Sequence, residues 1–399
     1  MILLEKIKEA RALLTKIVHK TPLIYSSTLS EWTSHSIYLK CENFQKTGSF
    51  KVRGAYFKIS QLSESEKTKG IIACSAGNHA QGVAYASSKL GIDSVIVMPE
   101  FASISKIEAT KGYGSKIILY GRTFDESQEK ALEIAKETGR IFISPYDDPD
   151  VIAGQGTIAL EILEQLPNVD MIIVPIGGGG LISGIASVVK SIDPKIRVIG
   201  VQTKAVPSVY NIISKGKIED ITCETIADGI AVKKPGKITL EIISKLVDDI
   251  VLVEEEEIAG AILFLMERCK MIVEGAGAVS VSAIIYDKIL LKSNVVAILS
   301  GGNIDVNLIS TIIEHGLTKS GRRLKFITAI PDRPGELHKL LSIIANIGAN
   351  IISIYHERLN PIVPIGLVEV EISVETRNKE HSEELVSAIK SAGYKLTVI

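Results

Sequence analysis

Short apolar runs alternate with longer helical patterns along the first 316 residues of the chain. The apolar runs are rich in Ile and Val and are bounded by glycine, proline or polar residues, which predicts buried parallel strands. The predicted strands are residues 37–41, 71–73, 93–98, 115–120, 140–143, 171–176, 197–201 and 295–299. Stretches such as 123–137 and 156–166 predict helices between them. This alternation indicates α/β architecture with parallel sheets, and a length of about 320 residues favours two lobes with a cleft between them.

The pattern changes after residue 316, where a polar segment at 317–324 predicts a linker. The remaining elements have the order strand, helix, strand, strand, helix, strand, at residues 326–330, 335–347, 350–359, 365–374, 382–392 and 394–399. This βαββαβ order is the ferredoxin-like arrangement. We therefore predict an α/β domain over residues 1–316, whose smaller lobe lies at about 45–145, and a separate α+β domain over 325–399.

Composition restricts the possible partners. The 399 residues are 46% hydrophobic, which supports sizeable cores, and the formal net charge is −1 with 5% aromatic residues. This balance argues against a nucleic-acid partner. No apolar run is long enough to span a bilayer, so we expect no membrane association. Cys41, Cys74, Cys223 and Cys269 are scattered and no secretory leader is present, which favours a cytoplasmic protein with reduced thiols.

Lys51 is the first residue with a specific chemical interpretation. It follows the predicted strand at 37–41, and Thr47-Gly48-Ser49 supplies turn residues and a predicted N-cap for a helix that begins around Lys51. The positive end of a helix dipole disfavours an ammonium group, so a neutral amine is easier to reach there. A neutral amine is the form that attacks an aldehyde. Most lysines are nevertheless solvated surface residues, so Lys51 alone does not identify a site.

A second motif follows the predicted strand at 71–73, and a third follows the one at 171–176. The second is the turn that contains Ser75, Ala76, Gly77, Asn78 and His79. Backbone N–H groups at such a helix start can bind a carboxylate, although an ordinary N-capping turn has the same composition. The third consists of Gly177, Gly178, Gly179 and Gly180, followed by Leu181. A glycine loop between a strand and a helix predicts a phosphate site rather than a plain flexible turn, and it matches neither a dinucleotide fingerprint nor a Walker motif.

Ser300-Gly301-Gly302-Asn303 follows the predicted strand at 295–299. By itself it predicts only a tight turn. A lysine able to form a Schiff base, a phosphate cradle and a hydroxyl at a third strand end together indicate pyridoxal phosphate.

These motifs resemble those of the tryptophan-synthase-β-like (fold type II) pyridoxal-phosphate enzymes, and among them the threonine dehydratase (threonine ammonia-lyase) family. The matching segments are residues 49–55, 75–83, 177–180, 225–229, 274–278 and 300–303. The C-terminal unit, with Pro331 to Leu337, resembles an ACT regulatory domain. Together the two resemblances cover nearly the whole chain.

The resemblance implies a role for each matching residue. It implies that Lys51 holds the cofactor as a Schiff base and removes the substrate α-proton. The other implied contacts are Phe50 beside the pyridine ring, Asn78 on its 3′-oxygen, Ser300 at its nitrogen, Glu274 around the ring, the glycine loop with the Leu181 amide on the phosphate, and the turn Ser75 to His79 on the substrate carboxylate.

The implied reaction is elimination of the β-hydroxyl of threonine, which yields 2-oxobutanoate and ammonia, or of serine, which yields pyruvate. A hydroxyl at Ser300 leaves the ring nitrogen largely neutral, from which we infer that elimination is favoured over transamination. The first step of isoleucine biosynthesis is the expected role.

Two alternatives remain at this stage. Serine racemases share most of these motifs, but racemisation needs a second acid/base group, and Ala76 stands where racemases have a serine. Gln202 stands where their divalent-cation site has a glutamate, so we expect no divalent metal here. The other alternative is a catalytically inactive amino-acid sensor, and retention of Lys51, Asn78 and Ser300 argues against it.

The resemblance to an ACT domain also predicts regulation. Isoleucine or valine is the expected effector, and Asp332, Leu337 and Asn350 are the candidate contacts. A purely structural dimerisation module is the alternative. We expect a homodimer or homotetramer, and a monovalent cation is a further candidate ligand.

Overall fold

The computed structural model describes residues 4–217, 224–358 and 363–399, so Cys223 and the last residue of the strand predicted at 350–359 lie outside the described residues. Two compact units are present, Met1–Asp305 and Val306–Ile399. Within the described ranges, no helix combines the length and the apolar character needed to cross a membrane.

Strands and helices alternate along the first unit, as predicted. The strands, in chain order, are β1 (Leu23–Tyr25), β2 (Ser36–Cys41), β3 (Ile71–Cys74), β4 (Ser94–Met98), β5 (Lys116–Leu119), β6 (Ile141–Phe142), β7 (Met171–Pro175), β8 (Arg197–Thr203), β9 (Asp249–Val253), β10 (Asn294–Leu299), β11 (Arg323–Pro331), β12 (Asn350–Glu357), β13 (Leu367–Glu375) and β14 (Leu396–Val398). The helices are α1 (Leu4–Leu14), α2 (Ser27–Thr33), α3 (Lys51–Ser60), α4 (Glu64–Lys69), α5 (Asn78–Leu90), α6 (Ile104–Gly112), α7 (Phe124–Thr138), α8 (Pro149–Gln165), α9 (Gly180–Ile192), α10 (Ser208–Lys215), α11 (Lys237–Leu246), α12 (Glu255–Cys269), α13 (Gly275–Ile285), α14 (Val306–Lys319), α15 (Glu336–Ile347) and α16 (Lys379–Ser391). Short 3-10 turns occupy Glu42–Phe44 and Asp228–Ile230.

Two sheets form the first unit, which confirms the predicted two-lobed α/β fold. The larger lobe has the strand order β1-β2-β10-β7-β8-β9, with every pair parallel except β1 and β2. The smaller lobe has the order β5-β4-β3-β6 and is entirely parallel. Central strands such as β4 and β7 are buried at every position because helices cover both faces of a parallel sheet. The short strands β1 and β9 were not predicted.

Close helix packing fixes the start of α3, the helix that begins at Lys51. Gly54 of α3 faces Gly154 of α8, and a Cβ added at Gly154 would lie 2.6 Å from the Cα of Gly54. The two backbones therefore approach more closely than any larger residue would permit.

A buried ionic cluster also holds α3. The Arg53 guanidinium donates to Glu42 through Nε (2.8 Å) and Nη2 (2.7 Å), and to Glu161 of α8 through Nη1 (2.8 Å). Lys40 of β2 donates to the other Glu161 oxygen at 2.7 Å. All four side chains are inaccessible to solvent. Arg53 lies two residues after Lys51 and points into the core, so the cluster fixes the rotation of the helix about its axis.

The second unit contains an antiparallel sheet of strand order β12-β13-β11-β14, with α15 and α16 following in the predicted βαββαβ order. This architecture is consistent with an ACT-like domain. The segment predicted as a linker at 317–324 has regular structure at both ends, because α14 continues to Lys319 and β11 begins at Arg323. The boundary between the two units falls after Asp305, earlier than residue 316.

Candidate active site

Lys51 is the first residue of α3, and its surroundings favour a neutral amine. Its Nζ donates a hydrogen bond to the Pro145 carbonyl at 2.9 Å and lies 5.3 Å from the centre of the Phe50 ring. Burial lowers the Lys51 pKa to about 8, and the Glu274 carboxylate opposes this shift. A larger fraction of the amine is therefore unprotonated near neutral pH than in a solvated lysine.

The predicted N-cap at Ser49 is wrong. Phe50 occupies the cap position, and no side chain caps the helix. Ser49 instead forms an isolated antiparallel bridge with Gly301, one residue before the cap position. Its Oγ is buried without a hydrogen-bond partner among the described residues.

Asn78, Glu274 and Asn303 form a hydrogen-bonded chain beside Lys51. Asn78 Nδ2 donates to Glu274 Oε1 at 2.6 Å, and Asn303 Nδ2 donates to Asn78 Oδ1 at 2.7 Å. Burial, followed by the Asp228 carboxylate, raises the Glu274 pKa to about 7, although Asn78 and Lys51 act in the opposite direction. The Asn78 amide is thus held in one orientation, with the second hydrogen of Nδ2 available to a ligand.

The turn before α5 divides into an open part and a buried part. Ser75, Ala76 and Gly77 are partly exposed, and Ser75 Oγ accepts a hydrogen bond from Gly77 N at 3.1 Å. His79 is buried, and its Nε2 donates to the Ile143 carbonyl at 3.0 Å. Burial and the Lys51 charge lower the His79 pKa to about 3, so the imidazole is neutral. Its side chain is already bonded within the protein, which leaves the open part of the turn for a substrate carboxylate.

The four glycines form a loop that is packed too closely against neighbouring residues to carry larger side chains. Gly179 precedes α9 with φ +94°, a conformation that favours glycine. A Cβ at Gly178 would lie 2.2 Å from the Tyr146 ring, one at Gly179 2.8 Å from the Thr239 side chain, and one at Gly177 3.0 Å from the Ile230 backbone. The backbone N–H groups that open α9, including those of Gly180 and Leu181, lack intrahelical acceptors. This donor set fits a phosphate group.

Ser300 joins these groups at the end of β10. Its carbonyl accepts from Phe50 N at 3.1 Å, and its Oγ donates to the Ala276 carbonyl at 3.3 Å. A Cβ at the next residue, Gly301, would lie 2.3 Å from Glu274 Oε1. The structure therefore brings Lys51, Asn78, Glu274 and Ser300 to one cleft.

Several residues that the sequence did not single out complete the site. Pro145 and Tyr146 connect Lys51 to the glycine loop, because the first bonds the amine and the second packs on Gly178. Lys106 of the smaller lobe forms an ion pair of 2.5 Å with Asp228 of the larger lobe. Asp228 lies inside the recognised segment at 225–229, but nothing local to Pro145 or Lys106 indicated a role.

The candidate effector residues are not brought together. Asp332 follows β11 and pairs with Arg358 at 3.1 Å, and Leu337 lies nearby in the first turn of α15. Asn350 begins β12 beside Glu375, at the opposite end of the sheet. The nine residues of β11 separate the two ends by about 27 Å. One copy of this unit cannot use all three residues in a single small site.

Comparisons with known proteins identify the family of the chain. Residues 14–301 match the family of pyridoxal-phosphate dependent enzymes. The chain is 52% identical over 401 residues to an L-threonine ammonia-lyase of Thermotoga maritima, covering 100% of both chains. It is 51% identical over 323 residues to the catabolic L-threonine dehydratase TdcB of Staphylococcus aureus, covering 79% of this chain and 93% of that protein. The structure of maize serine racemase is similar with a TM-score of 0.74 and 36% identity, covering 79% of this chain and 98% of that one. The chain therefore belongs to the pyridoxal-phosphate dependent enzymes, in the family that includes the L-threonine ammonia-lyases.

Proposed function

We propose that this enzyme removes the β-hydroxyl of L-threonine as water and that water then hydrolyses the resulting enamine, so that the net products are 2-oxobutanoate and ammonia. It acts in the same way on L-serine to give pyruvate and ammonia. The observation that carries the proposal is the buried Lys51 amine. Its pKa is lowered to about 8, it donates to the Pro145 carbonyl at 2.9 Å, and it interacts electrostatically with Glu274, the hydrogen-bond partner of Asn78. The names of the Thermotoga and Staphylococcus relatives support threonine as the substrate.

The residues of the cleft fit pyridoxal phosphate. Lys51 would hold its aldehyde carbon, Gly177 to Gly180 its phosphate, and Asn78 and Ser300 its ring. When bound, the cofactor supplies an electron sink for the substrate α-carbon. Lys51 would also take the α-proton, since burial favours its free amine near neutral pH. Ser300 brings no formal charge to the ring, which is the basis for favouring elimination over transamination.

The elimination assay measures 2-oxobutanoate and ammonia from L-threonine with purified protein and added cofactor. Lys51→Ala should abolish product formation, while Lys46→Ala, which changes an exposed lysine five residues earlier, should retain it. A wild-type protein that binds cofactor but releases neither 2-oxobutanoate nor pyruvate would contradict the proposal.

Racemisation is distinguished by the product of L-serine. Ala76 offers no hydroxyl at the open turn, so we expect pyruvate and essentially no D-serine on chiral chromatography. Ala76→Ser should raise the D-serine fraction while leaving Lys51 and the glycine loop unchanged. D-serine as the main product of the wild-type protein would favour the racemase alternative instead.

We further propose that the second unit regulates this activity by binding a branched-chain amino acid, as expected for a biosynthetic enzyme. The βαββαβ order of that unit supports the proposal. Isoleucine or valine should change the rate with threonine and shift the melting temperature of the full-length protein. If neither amino acid changes either quantity, the unit is better explained as a structural dimerisation module, and sedimentation would then report the expected homodimer or homotetramer.

A further inference from the structure

The segment from Pro145 to Asp147 connects Lys51 with the glycine loop (Gly177 to Gly180), the two places where the cofactor is expected to be attached. The Pro145 carbonyl accepts the hydrogen bond from Lys51, and the Tyr146 ring covers Gly178. The Tyr146 hydroxyl donates to the Lys234 carbonyl at 2.9 Å, so the segment is also tied to the chain that leads into α11. In the described part of the chain, the hydrogen bonds of the next residue, Asp147, are made to Ser144 and to the start of α11.

Asp147 caps α11 from a distant position in the sequence. One carboxylate oxygen, Oδ1, accepts from Ile238 N at 2.9 Å and Thr239 N at 3.3 Å, and Oδ2 accepts from Lys237 N at 3.0 Å. The residue that precedes the helix is Gly236, which has no side chain to perform this role. A Cβ there would lie 2.2 Å from Asp147 Oδ1, so the glycine makes room for the carboxylate.

The first turn of α11 is hydrogen-bonded to the glycine loop. Thr239 is fully buried, and its Oγ1 donates to the Gly178 carbonyl at 2.7 Å. The Gly236 N–H also points at this carbonyl, at 3.4 Å. Rotation of the peptide that follows Gly178 would break the contact with Thr239, so the direction of the loop N–H groups depends on where α11 begins.

We infer that Asp147 is a positioning residue for the cofactor phosphate. It fixes the first turn of α11, which fixes Thr239 against Gly178 and so orients the loop N–H groups toward the phosphate. The inference rests on the proposed binding of the phosphate by this loop. It also has a defined sign: the Asp147 charge repels a phosphate, so a purely electrostatic role would make removal of the carboxylate strengthen cofactor binding, whereas a positioning role makes removal weaken it.

The test is the dissociation constant of pyridoxal phosphate, measured by absorbance titration of the cofactor-free full-length protein. Asp147→Ala should raise it about tenfold, the equivalent of one helix cap. Asp147→Asn keeps an oxygen that can cap the helix and should stay within about threefold of wild type. Thr239→Val should weaken binding in the same direction, and the double variant with Asp147→Ala should show less than the product of the two effects, because both act through one contact.

Asp148→Ala is the matched control. The Asp148 side chain also caps a helix, α8, by accepting from Asp150 N at 2.8 Å and Val151 N at 3.1 Å. The substitution Asp148→Ala should lower the melting temperature of the cofactor-free protein but leave the dissociation constant of pyridoxal phosphate unchanged. Equal weakening by Asp147→Ala and Asp148→Ala, or unchanged or tighter binding in Asp147→Ala and Thr239→Val, would overturn the inference. Failure of the wild-type protein itself to bind the cofactor would instead contradict the proposed function.

Discussion

Glu274→Gln should stabilise the cofactor-free protein at alkaline pH, although it removes a charged residue from the candidate active site. The Glu274 side chain is only 4% exposed and accepts a hydrogen bond of 2.6 Å from Asn78. Burial and then Asp228 raise its pKa from 4.5 to about 7, despite the opposing effects of Asn78, Lys106 and Lys51. The folded protein therefore favours the protonated acid, which glutamine imitates in size and neutrality.

The size and sign of the effect follow from the two pKa values. A raised pKa in the folded state adds stability that is fully present below pH 4.5 and is lost as the pH rises through about 7. The difference between the two values corresponds to about 3 kcal/mol. Glu274→Gln avoids the cost of ionisation, so its advantage in the free energy of unfolding should grow from about 1 kcal/mol at pH 5 to about 3 kcal/mol at pH 9.

The assay is urea unfolding of the cofactor-free wild-type and variant proteins at pH 5, 7 and 9. Glu129→Gln, at an exposed carboxylate of α7, is the control and should show no comparable growth with pH. A stability difference between wild type and Glu274→Gln that does not increase with pH, or a wild type that is the more stable protein at pH 9, would show that Glu274 is not held as the neutral acid.

Two further substitutions test the packing around the site. Gly178→Ala places a Cβ 2.2 Å from the Tyr146 ring, so the dissociation constant of the cofactor, measured by titration, should rise at least about tenfold. Unchanged affinity would show that the loop tolerates a side chain. Arg53→Met leaves the carboxylates of Glu42 and Glu161 buried without the guanidinium that bonds them both. The free energy of unfolding, measured in urea, should therefore fall by about 3–5 kcal/mol. A loss below about 1 kcal/mol would mean that water or Lys40 replaces the guanidinium.

The parts of the fold that local patterns determine were predictable. Parallel strands such as β4 and β7 are buried on both faces, so their sequences are continuous apolar runs that stand out from the amphipathic helices. The motifs at Lys51 and Ser300 follow β2 and β10, which are neighbouring parallel strands of one sheet, so their convergence at one edge could be expected before the structure. Asn78 follows β3 of the other sheet, so its approach to Glu274 depends on how the two lobes pack, which local patterns do not show.

Contacts between distant segments could not be predicted in the same way. Asp147 caps α11 across 90 residues of sequence, and nothing near Gly236 reveals that its cap comes from elsewhere. The error at Ser49 has a similar origin, because its pairing with Gly301 takes precedence over its preference for a cap. The separation of Asn350 from Asp332, by contrast, follows from the predicted βαββαβ order. Both β11 and β12 pair antiparallel with β13 and so run in the same direction, which puts the end of β11 and the start of β12 at opposite ends of the sheet.

Borohydride reduction shows directly whether Lys51 carries the cofactor. Reduction of the cofactor-loaded protein fixes the pyridoxyl group on the lysine to which it is bound, and peptide mass spectrometry then locates it. We expect one modified residue, Lys51, with loss of activity in proportion to its modification. A pyridoxyl group found mainly on another lysine, or full activity in Lys51→Ala, would show that Lys51 is not the cofactor-binding lysine.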